Sequence, residues 1–308
     1  MTATPIVDAH HHLWDLKIRA QEWLRAPELK PIWRDFPLDE LEPEARAMGI
    51  EKTVLVQVAQ STDETREFLA FAACTSLIAG VVGWMDLTAE DPAGQLDALR
   101  AGPGGQTLKG IRHLVQDEPD PAWLNRIDVQ RGLRAIADAG LPYDLLVRPT
   151  QAAAALNAVR AVPELTFILD HLGKPPIAAD NARGANGHPD PAWSTWLRAL
   201  AAEPNVVCKL SGLVTEADWN TWTVADLQPY AETALEAFGP DRLMFGSDWP
   251  VSTLGATYGQ VCGMYRELTA RLSAAEQEAI FDRTARRVYR LPDPRPPAPA
   301  FRRRTGDR

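Results

Sequence analysis

Cysteine is scarce in this chain. Cys74, Cys208 and Cys262 lie far apart and form no Cys-x-x-Cys pair, so neither a disulfide framework nor a thiolate metal site is expected, and a reducing compartment fits. Long apolar runs are missing too. The longest clean one, Leu77 to Met85, falls far short of the roughly 20 residues that cross a bilayer, and Met1 to Leu13 lacks the basic-then-apolar order of a secretion signal. There is no surplus of positive charge: 41 Asp and Glu against 32 Lys and Arg give −9, which offers no general attraction to phosphate backbones or anionic lipid. The expectation is a cytoplasmic protein acting on a small molecule, without nucleic-acid or membrane partners, and homo-oligomerisation stays open.

What is present belongs to a packed protein. In 308 residues, 45% hydrophobic and 24% charged side chains exclude disorder as the main state, and the length suits one barrel of roughly 250 residues with extensions. Short Val/Ile/Leu-rich runs alternate with amphipathic segments, the rhythm of βαβ units. Eight such runs stand out: Pro5 to His12, Lys52 to Val58, Ala79 to Leu87, Thr107 to His113, Pro142 to Val147, Leu165 to His171, Val206 to Ser211 and Arg242 to Asp248. Each step between them has room for a crossover helix, so the fold expected is α/β, a distorted (β/α)8 TIM barrel in a single domain spanning 1–291. Gly173 to Asp190, broken by proline, glycine and asparagine, reads as a long loop. Residues 292–308 form a Pro/Arg-rich C-terminal tail with five prolines and five arginines, expected to be extended.

In such a barrel catalytic groups sit at the carboxyl ends of strands. There the chain places Asp8-Ala9-His10-His11-His12 on strand one, Arg112-His113 on strand four, Arg148 after strand five, Asp170-His171 on strand six, Lys209 and Ser211 on strand seven, and Ser247-Asp248-Trp249 on strand eight. Alternation points His10 and His12 to one side, toward the mouth, and His11 into the helical layer. Two imidazoles opposite a strand-eight carboxylate suit Zn²⁺ or a similar divalent ion, so His10, His12, His171 and Asp248 are the candidate ligands. Lys209 is expected to pair with Asp144 or Asp170. Ser211 lacks a Gly-x-Ser-x-Gly elbow and is no nucleophile candidate. Trp14 and Trp249 flank the strand-one and strand-eight motifs, where an aromatic face can pack on a sugar ring; Trp219 and Trp222 follow strand seven.

Five motifs in order resemble the amidohydrolase superfamily, in its sugar-lactonase branch and more remotely the pyrone-dicarboxylate lactonases. They are Val7-Asp8-Ala9-His10-His11-His12-Leu13-Trp14-Asp15, Gly110-Ile111-Arg112-His113, Leu169-Asp170-His171-Leu172-Gly173-Lys174-Pro175, Cys208-Lys209-Leu210-Ser211-Gly212 and Phe245-Gly246-Ser247-Asp248-Trp249-Pro250. The resemblance implies hydrolysis of an aldonolactone such as L-fuconolactone or L-rhamnonolactone, with Asp248 as general base. Strand five lacks a histidine and strand six has one, which argues against a dinuclear centre. One divalent ion, zinc by its donor set, and a metal-independent site both stay open. The chain also has Thr284-Ala285 where the family tends to show Asn-Ala before the last helix.

Lactone opening needs an activated water, a stabilised oxyanion and a proton for the leaving alkoxide. Asp248 can move that proton, with His171 and His113 as further catalytic candidates. Arg112, Lys174, Lys209, Arg148, Trp14 and Trp249 are the substrate-binding candidates. The alternatives on the same scaffold are a pyrone- or muconate-type dicarboxylate lactonase, a zinc-dependent decarboxylase, and a non-catalytic sugar-binding barrel.

Overall fold

The computed structural model of the chain describes residues 5–184 and 188–293; the expected tail lies, from 294 on, outside them. Eight parallel strands follow one another in chain order around a single sheet: β1 (Ile6–His11), β2 (Ile50–Val56), β3 (Ile78–Gly83), β4 (Leu108–His113), β5 (Tyr143–Leu145), β6 (Phe167–Leu169), β7 (Val206–Leu210) and β8 (Leu243–Phe245). Their residues are almost all buried, because a barrel wall has packed side chains inside and helices outside. This is the expected α/β TIM-type barrel.

The seam between β1 and β8 closes just beyond the strand ends. The Asp248 amide donates to the His10 carbonyl at 2.8 Å and the His12 amide to the Trp249 carbonyl at 2.6 Å. Asp8, fully buried, pins the same seam by accepting from the Ser247 amide (2.8 Å), the His10 amide (3.1 Å) and the Tyr258 hydroxyl (3.0 Å). Its burial is the main reason the carboxyl is pushed up to about 6. At the amino-terminal end the helix Thr284–Tyr289 brings Ala285 and Tyr289 against Val7, Val54, Val82 and Met244. Thr284-Ala285 thus belongs to the barrel plug.

Several expected boundaries shift. Strand three ends at Gly83, short of Leu87, where the Trp84 amide turns to the Thr65 hydroxyl. Strand eight ends at Phe245, and Asp248 is left-handed with φ 59°. The expected loop Gly173 to Asp190 contains a short helix, Ile177–Ala182, anchored by buried Ile177 and Asp180. The helix Leu38–Ala47, between β1 and β2, was not anticipated, and Pro43 inside it is the reason its periodicity is hard to read.

Candidate active site

The carboxyl end of β1 delivers the first two imidazoles. His10 and His12 share a side as alternation requires, with their Nε2 atoms 3.2 Å apart. His11 points the other way, its Nε2 bonded to the Thr53 hydroxyl at 2.9 Å. His12 Nδ1 donates to the Val56 carbonyl at 2.8 Å, which leaves Nε2 as a lone pair facing the cluster. Gly246 allows this close approach of β8 to β1, since a Cβ there would lie 2.7 Å from His10 Cβ.

His171 arrives by a different device. β6 stops at Leu169, and His171, Leu172, Gly173 and Lys174 then take positive φ of 53°, 54°, 67° and 54°. Three non-glycine residues in this region is a concentration of backbone strain of the kind found at functional sites. The tight turn carries both His171 and Lys174 to the mouth, although strand alternation, which keeps Asp170 on the inner face with Ile168, would have turned His171 away. His171 Nδ1 meets the Ser211 hydroxyl at 2.9 Å.

Asp248 completes the cluster. Its Oδ1 lies 3.8 Å from His10 Nε2, 3.7 Å from His12 Nε2 and 3.8 Å from His171 Nε2. Burial pushes the Asp248 carboxyl up, but His171, His12 and Lys174 outweigh it, so it lies below its ordinary value and is ionised at neutral pH. Burial holds all three imidazoles low, His171 at about 4. They are therefore neutral near pH 7, the state that ligates a metal.

The donor set fits a divalent ion. Bonds of about 2.0–2.1 Å at tetrahedral angles put neighbouring donors roughly 3.3 Å apart, close to the 3.2–3.8 Å found among His10, His12 and Asp248. These three converge with their donor atoms mutually within 4.8 Å.

Beneath the cluster lies a buried network. Lys209, 0% exposed, reaches Asp144 at 2.5 Å, Asp170 at 3.0 Å and His10 Nδ1 at 3.0 Å. Arg112 donates to Asp170 Oδ2 at 3.1 Å and to the Gln57 carbonyl at 2.5 Å. Two cations thus balance two carboxylates, which is what makes this burial tolerable. Lys209, Arg112 and His10 outweigh burial at Asp170 and hold its carboxyl well below its usual range.

Above the cluster opens a cavity of about 380 Å³, within the range of small-molecule sites. His12, His171, Asp248, Arg112, Lys174 and Arg148 all line it. Four other expected residues lie elsewhere. His113 is stacked on Trp123 with centroids 4.2 Å apart, and its two nitrogens meet Glu118 and Trp84. Lys209 is sealed under His10. Trp14 and Trp249, 5% and 2% exposed, both pack edge-on against Phe36. The aromatic walls are instead Trp219 and Trp23. Glu216, Asp117 and Trp23 are lining residues that the sequence reading did not single out. Glu216 pairs with Lys174 at 3.0 Å. Each of the three sits in a helical turn of three or four residues, Leu213–Glu216, Val115–Asp117 or Glu22–Arg25, too short to leave a periodic signal.

Comparison with known proteins agrees with the fold. An L-fucono-1,5-lactonase from Burkholderia multivorans is 38% identical over 297 residues, covering 94% of this chain and 97% of that protein. One from Burkholderia ambifaria is 37% identical over 254 residues, covering 82% and 83% respectively. The crystal structure of an amidohydrolase from Burkholderia multivorans with bound zinc, 38% identical, superposes with a TM-score of 0.85 over 93% of this chain and 99% of that one. Residues 7–291 match the Amidohydrolase family, and the chain belongs to that family.

Proposed function

We propose that this protein opens the ring of a sugar-acid lactone by water attack on the carbonyl, with L-fucono-1,5-lactone the first substrate to try. Support comes from relatives of that name aligned over most of the chain. The observation that carries the reading is the ionised Asp248 carboxylate, ringed by three neutral imidazoles at the floor of a cavity of sugar size.

Asp248 Oδ1 accepts a proton from the attacking water as its oxygen bonds to the carbonyl carbon, and returns that proton to the ring oxygen as the C–O bond breaks. Arg112 and Lys174 face the same cavity and stabilise negative charge developing on the carbonyl oxygen. Trp219 and Trp23 offer flat faces to the ring. His10, His12 and Asp248, with His171 beside them, are the residues that would hold a divalent ion, zinc in this proposal, and such an ion supplies Lewis acidity toward water or carbonyl. The protein is cytoplasmic in this reading, and among its described residues no helix is long and apolar enough to cross a membrane.

A dicarboxylate substrate is disfavoured by the lining itself. Arg112, Arg148 and Lys174 are matched by Asp117, Glu216 and Asp248, a balance suited to hydroxyl groups and lacking the surplus cations that two carboxylates need. The test is proton release from a panel of aldonolactones in weak buffer with zinc-supplied protein. Turnover of one stereochemical series is expected, with kcat falling about 10²–10⁴-fold in Asp248→Asn. Silence across the panel together with hydrolysis of a pyrone dicarboxylate lactone overturns the proposal.

A further inference from the structure

Lactone hydrolysis changes the charge of what fills the cavity. A neutral lactone and a water enter, the ring C–O bond breaks, and an aldonate anion and a proton leave, since a carboxyl that ordinarily titrates near 4 is ionised at neutral pH. Groups that stabilise negative charge on the carbonyl oxygen in the transition state meet the same oxygen, still charged, in the product. The cations of the wall therefore decide how firmly the product is held.

Lys174 is the cation that matters most. Arg112 is committed to Asp170 at 3.1 Å, and Arg148 is exposed, where water and salt screen its charge. Lys174 is carried to the mouth by the left-handed turn after β6 and stands near enough to the centre to lower both Asp248 and His171. Its ammonium meets Glu216 Oε1 at 3.0 Å, with the two side chains only 15% and 18% exposed. Glu216 ends the helical turn Leu213–Glu216 just after β7, which buried Leu213 and Val214 anchor. Among the described residues its carboxylate is hydrogen-bonded to Lys174 alone. An ammonium has three N–H donors, so one spent on Glu216 leaves two for a carbonyl oxygen. Glu216 thus removes the net charge of Lys174 and keeps its capacity to donate.

We infer that Glu216 is a specificity-determining residue: by neutralising Lys174 it keeps the cavity selective for uncharged lactones and lets the aldonate leave. The inference rests on the reading that this cavity hydrolyses an aldonolactone. Glu216 acts through Lys174, so its effect falls on anions and spares neutral ligands.

The test follows hydrolysis of a neutral aldonolactone, with its aldonate added as inhibitor, in zinc-supplied wild type, Glu216→Gln, Glu216→Asp and the double variant Lys174→Met with Glu216→Gln. In Glu216→Gln the aldonate Ki should fall about tenfold relative to the lactone KM, within the range for coupled neighbouring groups. An aldaric lactone, which carries a carboxylate beside its ring, should gain about tenfold in kcat/KM over the neutral lactone. Glu216→Asp, which keeps the charge, should retain the wild-type ratios, and the double variant should lose both gains. Where the double variant turns over too slowly, calorimetric aldonate Kd gives the same comparison. A purely structural role would slow every substrate together and leave the ratios unchanged, and that result overturns the inference, as does a gain that persists without the lysine. A wild-type enzyme that hydrolyses no lactone overturns the functional reading itself, so the two failures are told apart.

Discussion

Gly212 follows β7 at φ +67° and lies directly against His171. A Cβ built on it would sit 2.6 Å from His171 Nδ1, 2.7 Å from Cγ and 2.8 Å from Cβ, where ordinary contact starts at 3.4 Å. In Gly212→Ala the imidazole must therefore retreat by the difference, 3.4 − 2.6, or about 0.8 Å. It cannot do so freely, because its Nδ1 is held by Ser211 at 2.9 Å and its ring packs on His10 with centroids 4.4 Å apart. Misplacing a reacting group by about 1 Å costs on the order of 10²-fold in rate, about 2.7 kcal/mol of transition-state stabilisation. The left-handed backbone adds a separate cost of about 1–2 kcal/mol in stability. Gly49→Ala isolates that second cost, since Gly49 has φ +80° and nothing within 4 Å of the built Cβ. Urea denaturation should show that backbone cost in Gly49→Ala and a larger loss in Gly212→Ala, where the displaced imidazole adds to it, whereas lactone turnover should fall about 10²-fold in kcat/KM for Gly212→Ala alone. A Gly212→Ala enzyme within threefold of wild type, or a Gly49→Ala enzyme equally impaired, refutes the claim that Gly212 is there to seat His171.

Two further outcomes follow from buried acids. Glu64 accepts from the Val58 and Ala59 amides, and burial, its main cause, raises its carboxyl from 4.5 to about 7. A raised acid pKa means the folded state binds more protons than the unfolded one between those values, so stability falls as pH rises through that window. Glu64→Gln keeps an acceptor for both amides and removes the titration. Its stability relative to wild type should improve by roughly 2–3 kcal/mol between pH 5 and pH 8, and an unchanged gap in denaturation midpoints refutes this. The second concerns rate. With Asp248 below its ordinary value and His171 at about 4, kcat/KM should hold down to about pH 5 and fall only below that. An acid limb centred above pH 6 would contradict Asp248 as the base.

The barrel was legible because both of its signals are periodic. Strands such as Val206–Leu210 and Ile50–Val56 are short β-branched runs buried in the wall, and the helices between them repeat their apolar face every third or fourth residue. What escaped the reading is aperiodic. The helix Leu38–Ala47 carries a proline inside, and Ile177–Ala182 sits in a stretch whose prolines and glycines signal only a loop. Trp14 and Trp249 were misjudged for a related reason. Neighbouring a motif in sequence says nothing about which way an indole faces once the chain has left the strand, and Phe36, brought in by the segment after β1, covers both.

Within the site, strand alternation was enough for His10, His11 and His12, where the chain is still extended. It failed at His171 because β6 ends at Leu169 and the residues from His171 on are left-handed. Asp170 still follows the alternation, since Ile168, two residues earlier, packs in the barrel interior with Val7, Val54, Val82 and Met244. It therefore lies inside the barrel, 3.1 Å from Arg112 and 3.0 Å from Lys209, whereas continued alternation would have turned His171 toward the helices. The left-handed turn thus puts His171 at the mouth directly above a neutral ion cluster. No local pattern in the sequence encodes that, because Lys209 and Arg112 come from strands 39 and 58 residues away from Asp170. It is legible only once the barrel has closed and brought β4, β6 and β7 to the same end.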